Sequence, residues 1–221
     1  MNEIQKQIIL LQQGNIKSLA RCISIVENEL AGYEEILFSL RIKNIPVIGI
    51  TGPPGSGKST LINSILKKLT DKKKRIGVIA IDPTSPFNYG SLLGDRIRMT
   101  EHFNNENIFI RSLATRGSLG GLSAKTIEVL DVMKAFGFDY IFIETVGVGQ
   151  SEVEIAGIAD TTILVLAPGF GDEIQTIKSG IMEIGDIFVV NKSDQPSADG
   201  FAKNILQLIE RRKNSDTLLL S

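Results

Sequence analysis

The sequence predicts an α/β fold, a mostly parallel sheet flanked by helices, with an N-terminal helical extension in front of it. Three observations carry that expectation. From residue 46 onward, short continuous apolar runs alternate with amphipathic stretches, and strands that lack apolar–polar alternation belong to a sheet covered on both faces. A glycine-rich loop separates the first run from the helix after it, at the carboxyl end of a strand, where such sheets hold ligands. Residues 1–45 lack this strand pattern and repeat apolar residues at helical spacing.

The elements follow in order. In the leader, Ile16, Leu19, Ile23, Val26 and Leu30 form one apolar stripe, and Gly14-Asn15 separates this helix from a shorter one before it. Cys22 lies beside the stripe and reads as a small core residue. Pro46 opens the second region, 46–221. PVIGITG is a strand, and Leu61 to Leu69 is a helix with Ile62, Ile65, Leu66 and Leu69 on one face. RIGVIAID and NIFIRSLA are the next two strands, followed by a helix near 122–136. DYIFIETV, TTILVLAP and DIFVVNKS complete the strands, with helices near 172–184 and 199–212. The run Lys72-Lys73-Lys74-Arg75 reads as a solvated turn rather than an anion site.

Composition narrows the function. The chain has 221 residues, 43% hydrophobic and 22% charged, which suits one globular domain with an appended segment. A single cysteine excludes an internal disulfide and fits a reducing compartment. With 24 basic against 25 acidic residues, nucleic-acid binding gains no electrostatic support. No apolar run approaches the roughly 20 residues of a membrane span, and MNEIQKQIILLQQG is too acidic and glutamine-rich for a signal peptide. The expectation is a cytoplasmic protein with neither membrane nor nucleic acid among its partners.

The strongest motif is Gly52-Pro53-Pro54-Gly55-Ser56-Gly57-Lys58-Ser59, followed by Thr60. It matches G-x-x-x-x-G-K-S between a strand and a helix, the pattern of a P-loop NTPase. Its glycines permit a tight loop whose backbone N–H groups face phosphate oxygens, and the helix start adds partial positive charge. Lys58 is expected to reach the β- and γ-phosphates, and Ser59 to ligate magnesium. Asn191-Lys192-Ser193-Asp194 ends an apolar strand and matches N-K-x-D. A carboxylate there can accept two N–H bonds from guanine. Charge-assisted bonds of about 1.5–3 kcal/mol each allow roughly a hundredfold preference over adenine. Asn191 and Lys192 would buttress that loop and cover the base. Glu144-Thr145-Val146-Gly147 stands where most GTPases carry Asp-x-x-Gly. Glu144 reads as a group that touches magnesium or its bound water, and Gly147 as a γ-phosphate sensor. Gln150 invites comparison with a water-orienting glutamine, but such a residue directly follows the glycine, where this chain has Val148. Asp82 ends its strand before Pro83-Thr84-Ser85-Pro86, at the sheet's ligand edge. Asp95, in SLLGDRIRM, reads as a helix cap as readily as a ligand.

Taken together, GNIKSLARCISIVEN, GITGPPGSGKSTLI, IDPTSP, LLGDRIRM, RGSLGGLS, IETVGVGQSE and APGFGDEIQTIKSGIMEIGDIFVVNKSD resemble the MeaB/ArgK-type GTPases, the family of the methylmalonic aciduria type A protein. The resemblance runs from about residue 10 to 205 and covers the leader. It implies a P-loop GTPase domain over 46–221 behind a helical extension at 1–45. In the superclass to which that family belongs, Glu-x-x-Gly is normal. The resemblance also implies a GTPase chaperone that gates cofactor loading and protection of an adenosylcobalamin-dependent acyl-CoA mutase such as methylmalonyl-CoA mutase. The chaperone would hydrolyse GTP with magnesium and bind no cobalamin itself. Lys58, Asp82, Asp95 and Glu144 fall on the family's magnesium-site positions. Ala167 to Lys178, with Asp172, Gln175 and Lys178, falls on a further switch that links nucleotide state to the mutase. After N-K-x-D the family continues with a last strand, a guanine-touching loop and a dimerisation arm. This chain ends in RRKNSDTLLLS, so the expectation is a sheet without that strand and no family homodimer. Three alternatives stand beside this reading. A metal-insertion GTPase needs cysteine and histidine ligands, of which the chain has only Cys22 and His102, and His102 reads as exposed. A kinase with such a loop lacks N-K-x-D. A non-catalytic truncated remnant is the third.

Overall fold

The computed structural model describes residues 2–82, 102, 105–114, 124–145, 151–169, 180–210 and 218–220. The leader forms three helices, α1 (Glu3–Gln12), α2 (Ile16–Glu27) and α3 (Tyr33–Ser39). A reciprocal cap starts α1: Asn2 accepts from the Gln5 N–H at 2.7 Å, and the Gln5 side chain accepts from the Asn2 N–H at 3.1 Å. Asn15 caps α2 by accepting from the Ser18 N–H at 3.0 Å. The break at Gly14-Asn15 therefore lies where the sequence puts it.

The further helices and strands among the described residues are β1 (Val47–Thr51), α4 (Lys58–Asp71), β2 (Ile76–Asp82), β3 (Ile108–Ala114), α5 (Ala124–Phe136), β4 (Tyr140–Glu144), α6 (Ser151–Glu154), β5 (Thr161–Leu166), β6 (Ile187–Val190), α7 (Ala198–Glu210) and β7 (Leu218–Leu220), with a 3-10 turn at Ile155–Gly157 after α6. The strands form one sheet in the order β3-β2-β4-β1-β5-β6-β7, and every pairing is parallel. The sheet was expected to lack the family's last strand; Leu218–Leu220 instead pair with β6 as an edge strand. Of the helix expected near 172–184, the described part is a 3-10 turn at Ile181–Ile184.

Side chains alternate across the sheet. Ile76 and Val78 of β2 and Phe142 of β4 pack with Ile62 and Leu66 of α4. Ile79 and Ile81 of β2 and Ile141 and Ile143 of β4 point the other way, onto α5 and the leader. Leu19, Cys22, Ile23 and Val26 of α2 are fully buried in that second cluster, each larger aliphatic contributing about 1.5–3 kcal/mol. Ile16 and Leu30, the outer members of the predicted stripe, are exposed. The leader thus shares its core with the sheet and is not a separate packing unit. Polar contacts reinforce the seam: Arg111 of β3 pairs with Glu27 and donates to the Ser24 hydroxyl at 3.4 Å, and Lys125 of α5 lies 2.9 Å from Glu29. Burial pushes the Cys22 thiol up to about 11, so it is a core residue with almost no thiolate near neutral pH. A third cluster joins Leu164 and Leu166 of β5 and Phe188 and Val190 of β6 to Phe201 and Ile205 of α7.

His102, read as exposed, is buried, and it shares a cleft with Ile16 of α2 and Phe109 of β3. The basic run forms the turn after α4, as read: Lys73 has φ 57°, Lys74 lies 3.1 Å from Asp139, and the Arg75 guanidinium sits 4.7 Å from the Phe136 ring centroid.

Candidate functional site

β1 delivers the chain into the loop Gly52–Gly57 at the sheet's carboxyl edge, and α4 begins at Lys58. Two glycines are required there. At Gly52 (φ +138°) a Cβ would lie 2.1 Å from the Val165 carbonyl oxygen of β5. At Gly57 (φ +95°) a Cβ would lie 2.1 Å from the Asn191 amide nitrogen. Any side chain at either place would push the loop off the sheet or away from the Asn191 turn. Pro54 and Gly55 are exposed at the tip, Pro53 is half-buried, and Ser56 is fully buried. The Ser56 hydroxyl has no hydrogen-bond partner among the described residues.

Lys58 is 6% exposed. Its ammonium donates to the carbonyl oxygens of Gly52 at 2.7 Å and Pro53 at 3.1 Å, which folds the side chain back along the loop it follows. Ser59, one residue on, donates its hydroxyl to Glu144 Oε1 at 2.7 Å. Thr60 is exposed. Glu144 is the last residue of β4 and is 4% exposed. Its Cα is in register with Ile50 of β1 and Ala80 of β2, so the acid stands at the centre of the sheet's ligand edge. Asp82 ends β2 two positions beyond Ala80, in register with Ala114 of β3; its side chain lies outside the description.

The Asn-Lys-x-Asp turn follows β6. The Asn191 N–H donates to the Leu166 carbonyl at 2.7 Å, and its side-chain amide donates to the Ser56 carbonyl at 2.9 Å. Lys192 adopts φ 58° and its carbonyl accepts from the Gln195 N–H at 3.1 Å. Asp194 is exposed. The two motifs, far apart in sequence, are therefore hydrogen-bonded to each other through Asn191.

The sequence reading missed a third group. Glu152 of α6 is 4% exposed. Its Oε2 accepts from the Thr145 hydroxyl at 2.7 Å, from the Gly52 N–H at 3.3 Å and from the Thr51 hydroxyl. The only signal for it was an acid shortly after Glu144 and two hydroxyl residues at the strand ends. Gly147, Asp95, Gln150, Asp172, Gln175 and Lys178 lie outside the described residues.

No three His, Cys, Asp or Glu side chains converge on one point among the described residues. The touching pair of Ser59 hydroxyl and Glu144 carboxylate is nonetheless an all-oxygen donor set, which suits a hard cation such as magnesium. No helix among the described residues is long and apolar enough to cross a membrane.

A parallel sheet whose central strand runs through a glycine loop into a helix, with a lysine and a serine at that helix start, defines a P-loop NTPase. The chain belongs to the MeaB family: the model described as methylmalonyl Co-A mutase-associated GTPase MeaB matches residues 19–217. A protein of Pyrococcus horikoshii that carries a GTPase name is 51% identical over 201 residues, covering 90% of this chain and 63% of the relative. GTPase ArgK of Escherichia coli is 38% identical over 197 residues, covering 86% of this chain and 60% of its own length. The chain thus spans about three-fifths of the curated relatives it matches. Among solved structures, a LAO/AO transport system kinase superposes with a TM-score of 0.76 at 28% identity, over 99% of this chain and 69% of the other. The hydrogenase maturation factor HypB of Archaeoglobus fulgidus, at TM-score 0.58 and 17% identity, shares the fold alone.

Proposed function

We propose that this chain binds GTP, hydrolyses it with magnesium, and serves in the cytoplasm as a chaperone that gates cofactor loading and protection of an adenosylcobalamin-dependent acyl-CoA mutase of the methylmalonyl-CoA mutase type. The observation that carries the hydrolytic part is the 2.7 Å contact between Ser59 and Glu144. It brings a helix-start hydroxyl together with the carboxylate that ends β4, the strand beside β1, next to the lysine of the loop. The chaperone part is supported by family membership.

Each residue has a role in this reading. Gly52 to Gly57 offer backbone N–H groups to phosphate oxygens, and the start of α4 adds its dipole. The Ser56 hydroxyl and Thr60 add polar contacts at the nucleotide. Lys58 supplies a fixed positive charge that meets the charge developing on the transferred phosphoryl group, so it acts by electrostatics and positioning. Asp194 accepts from guanine, while Asn191 holds the base loop to the phosphate loop. Ser59 and Glu144 would hold magnesium, with Asp82 and Asp95 as further candidates. When bound, the ion would supply charge neutralisation across the phosphate oxygens. Gly147 senses the terminal phosphate. Gln150, Asp172, Gln175 and Lys178 belong to the segments that report nucleotide state to the mutase. The chain binds no cobalamin of its own in this reading.

Two measurements test the proposal together. Phosphate release is followed with GTP and with ATP, with and without magnesium; magnesium-dependent release from GTP alone is expected. Binding to a methylmalonyl-CoA mutase is then compared with GDP and with a non-hydrolysable GTP analogue. Equal binding in both states would overturn the gating role, and release from ATP as fast as from GTP would overturn the assignment of Asp194.

A further inference from the structure

We infer that Glu152 is a positioning residue that clamps the phosphate loop and the end of β4 to each other. Its buried carboxylate oxygen is the common acceptor for three donors from two segments. Thr51 and Gly52 come from the end of β1 and the first loop position, and Thr145 directly follows Glu144. Thr145 also donates its N–H to the Ile50 carbonyl at 3.2 Å, so the same residue is tied to β1 by its backbone.

The consequence reaches both halves of the candidate site. The Gly52 N–H is held by Glu152, and the Gly52 carbonyl in turn seats the Lys58 ammonium. On the other side, Thr145 sets where β4 stops, and Glu144 at that stop accepts from Ser59. One carboxylate therefore fixes the lysine's seat and the serine's partner at once. An aliphatic side chain in this place would remove the acceptor that two hydroxyls and an amide share, leaving the Thr145 hydroxyl only its longer contacts to the Ile50 carbonyl at 3.5 Å and the Thr51 hydroxyl at 3.3 Å.

The inference rests on the GTP-hydrolysing reading for its kinetic arm only. Amide hydrogen exchange is measured by mass spectrometry on the chain and on Glu152→Gln, Glu152→Ala and Thr145→Val, with and without GDP. Faster exchange confined to peptides covering 51–57 and 140–145, in the order Ala above Gln above parent, is expected, with leader peptides 3–27 unchanged. In GTP hydrolysis, Glu152→Gln should lower kcat by about tenfold to a hundredfold, the worth of a hydrogen bond to a charged acceptor, while KM stays within about threefold. Thr145→Val combined with Glu152→Gln should be little worse than Glu152→Gln alone, because both act through one cluster. Exchange that rises equally in the leader, or fails to rise at 51–57, overturns the clamp, and so does a kcat within about twofold of the parent. A parent chain that releases no phosphate from GTP would sink the functional reading, and the exchange arm would then decide the clamp by itself.

Discussion

Acids stand at both ends of the parallel sheet, and the two ends use them differently. At the amino ends, Asp139, Asp160 and Asp186 each precede a strand and join it to the start of its neighbour. Asp139 accepts from the Arg75 N–H at 2.7 Å, Asp160 from the Val47 N–H at 2.8 Å, and Asp186 from the Thr162 N–H at 2.7 Å. Each also returns its own backbone N–H to the carbonyl of that same partner. The bonds close on the backbone, and Asp139 adds the Lys74 ammonium at 3.1 Å. At the carboxyl ends, Glu144 and Glu152 bond hydroxyls and a loop amide, groups that themselves face the phosphate loop. A carboxylate on backbone N–H groups is a staple. A carboxylate on hydroxyls at a glycine loop is machinery that a ligand can engage. Substitution should separate the two classes: loss of chemistry at the carboxyl edge, loss of stability at the amino edge.

The sharpest break is expected at Lys58. Lys58→Ala removes the positive charge at the phosphate loop and should lower GTP hydrolysis by about a hundredfold or more, with thermal unfolding little changed. Phosphate-release kinetics beside a melting curve check it; hydrolysis within twofold of the parent would falsify the role. Next comes Glu144→Gln, which weakens an acceptor at the candidate magnesium position without touching the loop amides. The magnesium concentration for half-maximal hydrolysis should rise by about tenfold to a hundredfold, with nucleotide binding nearly retained. An equal loss of both would make Glu144 a staple after all. Asp194→Asn should move preference from guanosine toward xanthosine triphosphate by about tenfold or more, because xanthine presents a carbonyl where guanine has its amino group. Competition binding with the two nucleotides measures this.

How far the sequence announced these features follows from the physics of each. The parallel sheet was legible because unbroken apolar strands such as IFVV and TTILVL have few other stable homes. The phosphate loop was legible because its glycines and Lys58 are needed at fixed offsets. Glu152 was not, since its role depends on how the chain returns after Glu144, and α6 is a four-residue helix, too short to show periodicity. His102 was misread for the same reason: its burial comes from packing beside α2 and β3, a tertiary fact. The three strand-leading aspartates went unread, because their partners lie on other strands, which local patterns do not encode.

The amino edge should answer in stability alone. Asp160→Ala removes one acceptor from the first amide of β1 and should cost about 1 kcal/mol, which for a domain of this size lowers Tm by about 2–4 °C. Hydrolysis per folded molecule should be unchanged, as read by kcat on the fraction folded at assay temperature. A kcat drop without a Tm change would erase the division between the two edges.

The smallest expected effect tests the staple through pH. The carboxyl of Asp139 is held below its ordinary range, first by the Arg75 backbone N–H and then by the Lys74 ammonium. An acid whose folded pKa is depressed contributes stability that is present above its unfolded pKa of about 3.9 and is lost as pH falls through the folded value. Asp139→Asn keeps an oxygen acceptor but not the charge. The parent should therefore be slightly more stable than this variant at about pH 6, and the gap should close as pH is lowered below about 4. Lys74 and Asp139 are both more than a third exposed, so their ion pair is screened by salt and worth little. The backbone bond is direct and is not screened in that way. Urea unfolding of parent and variant at low and high salt separates the two. A gap that survives high salt and vanishes in acid identifies the backbone bond as the staple, whereas a gap abolished by salt at pH 6 would assign it to Lys74.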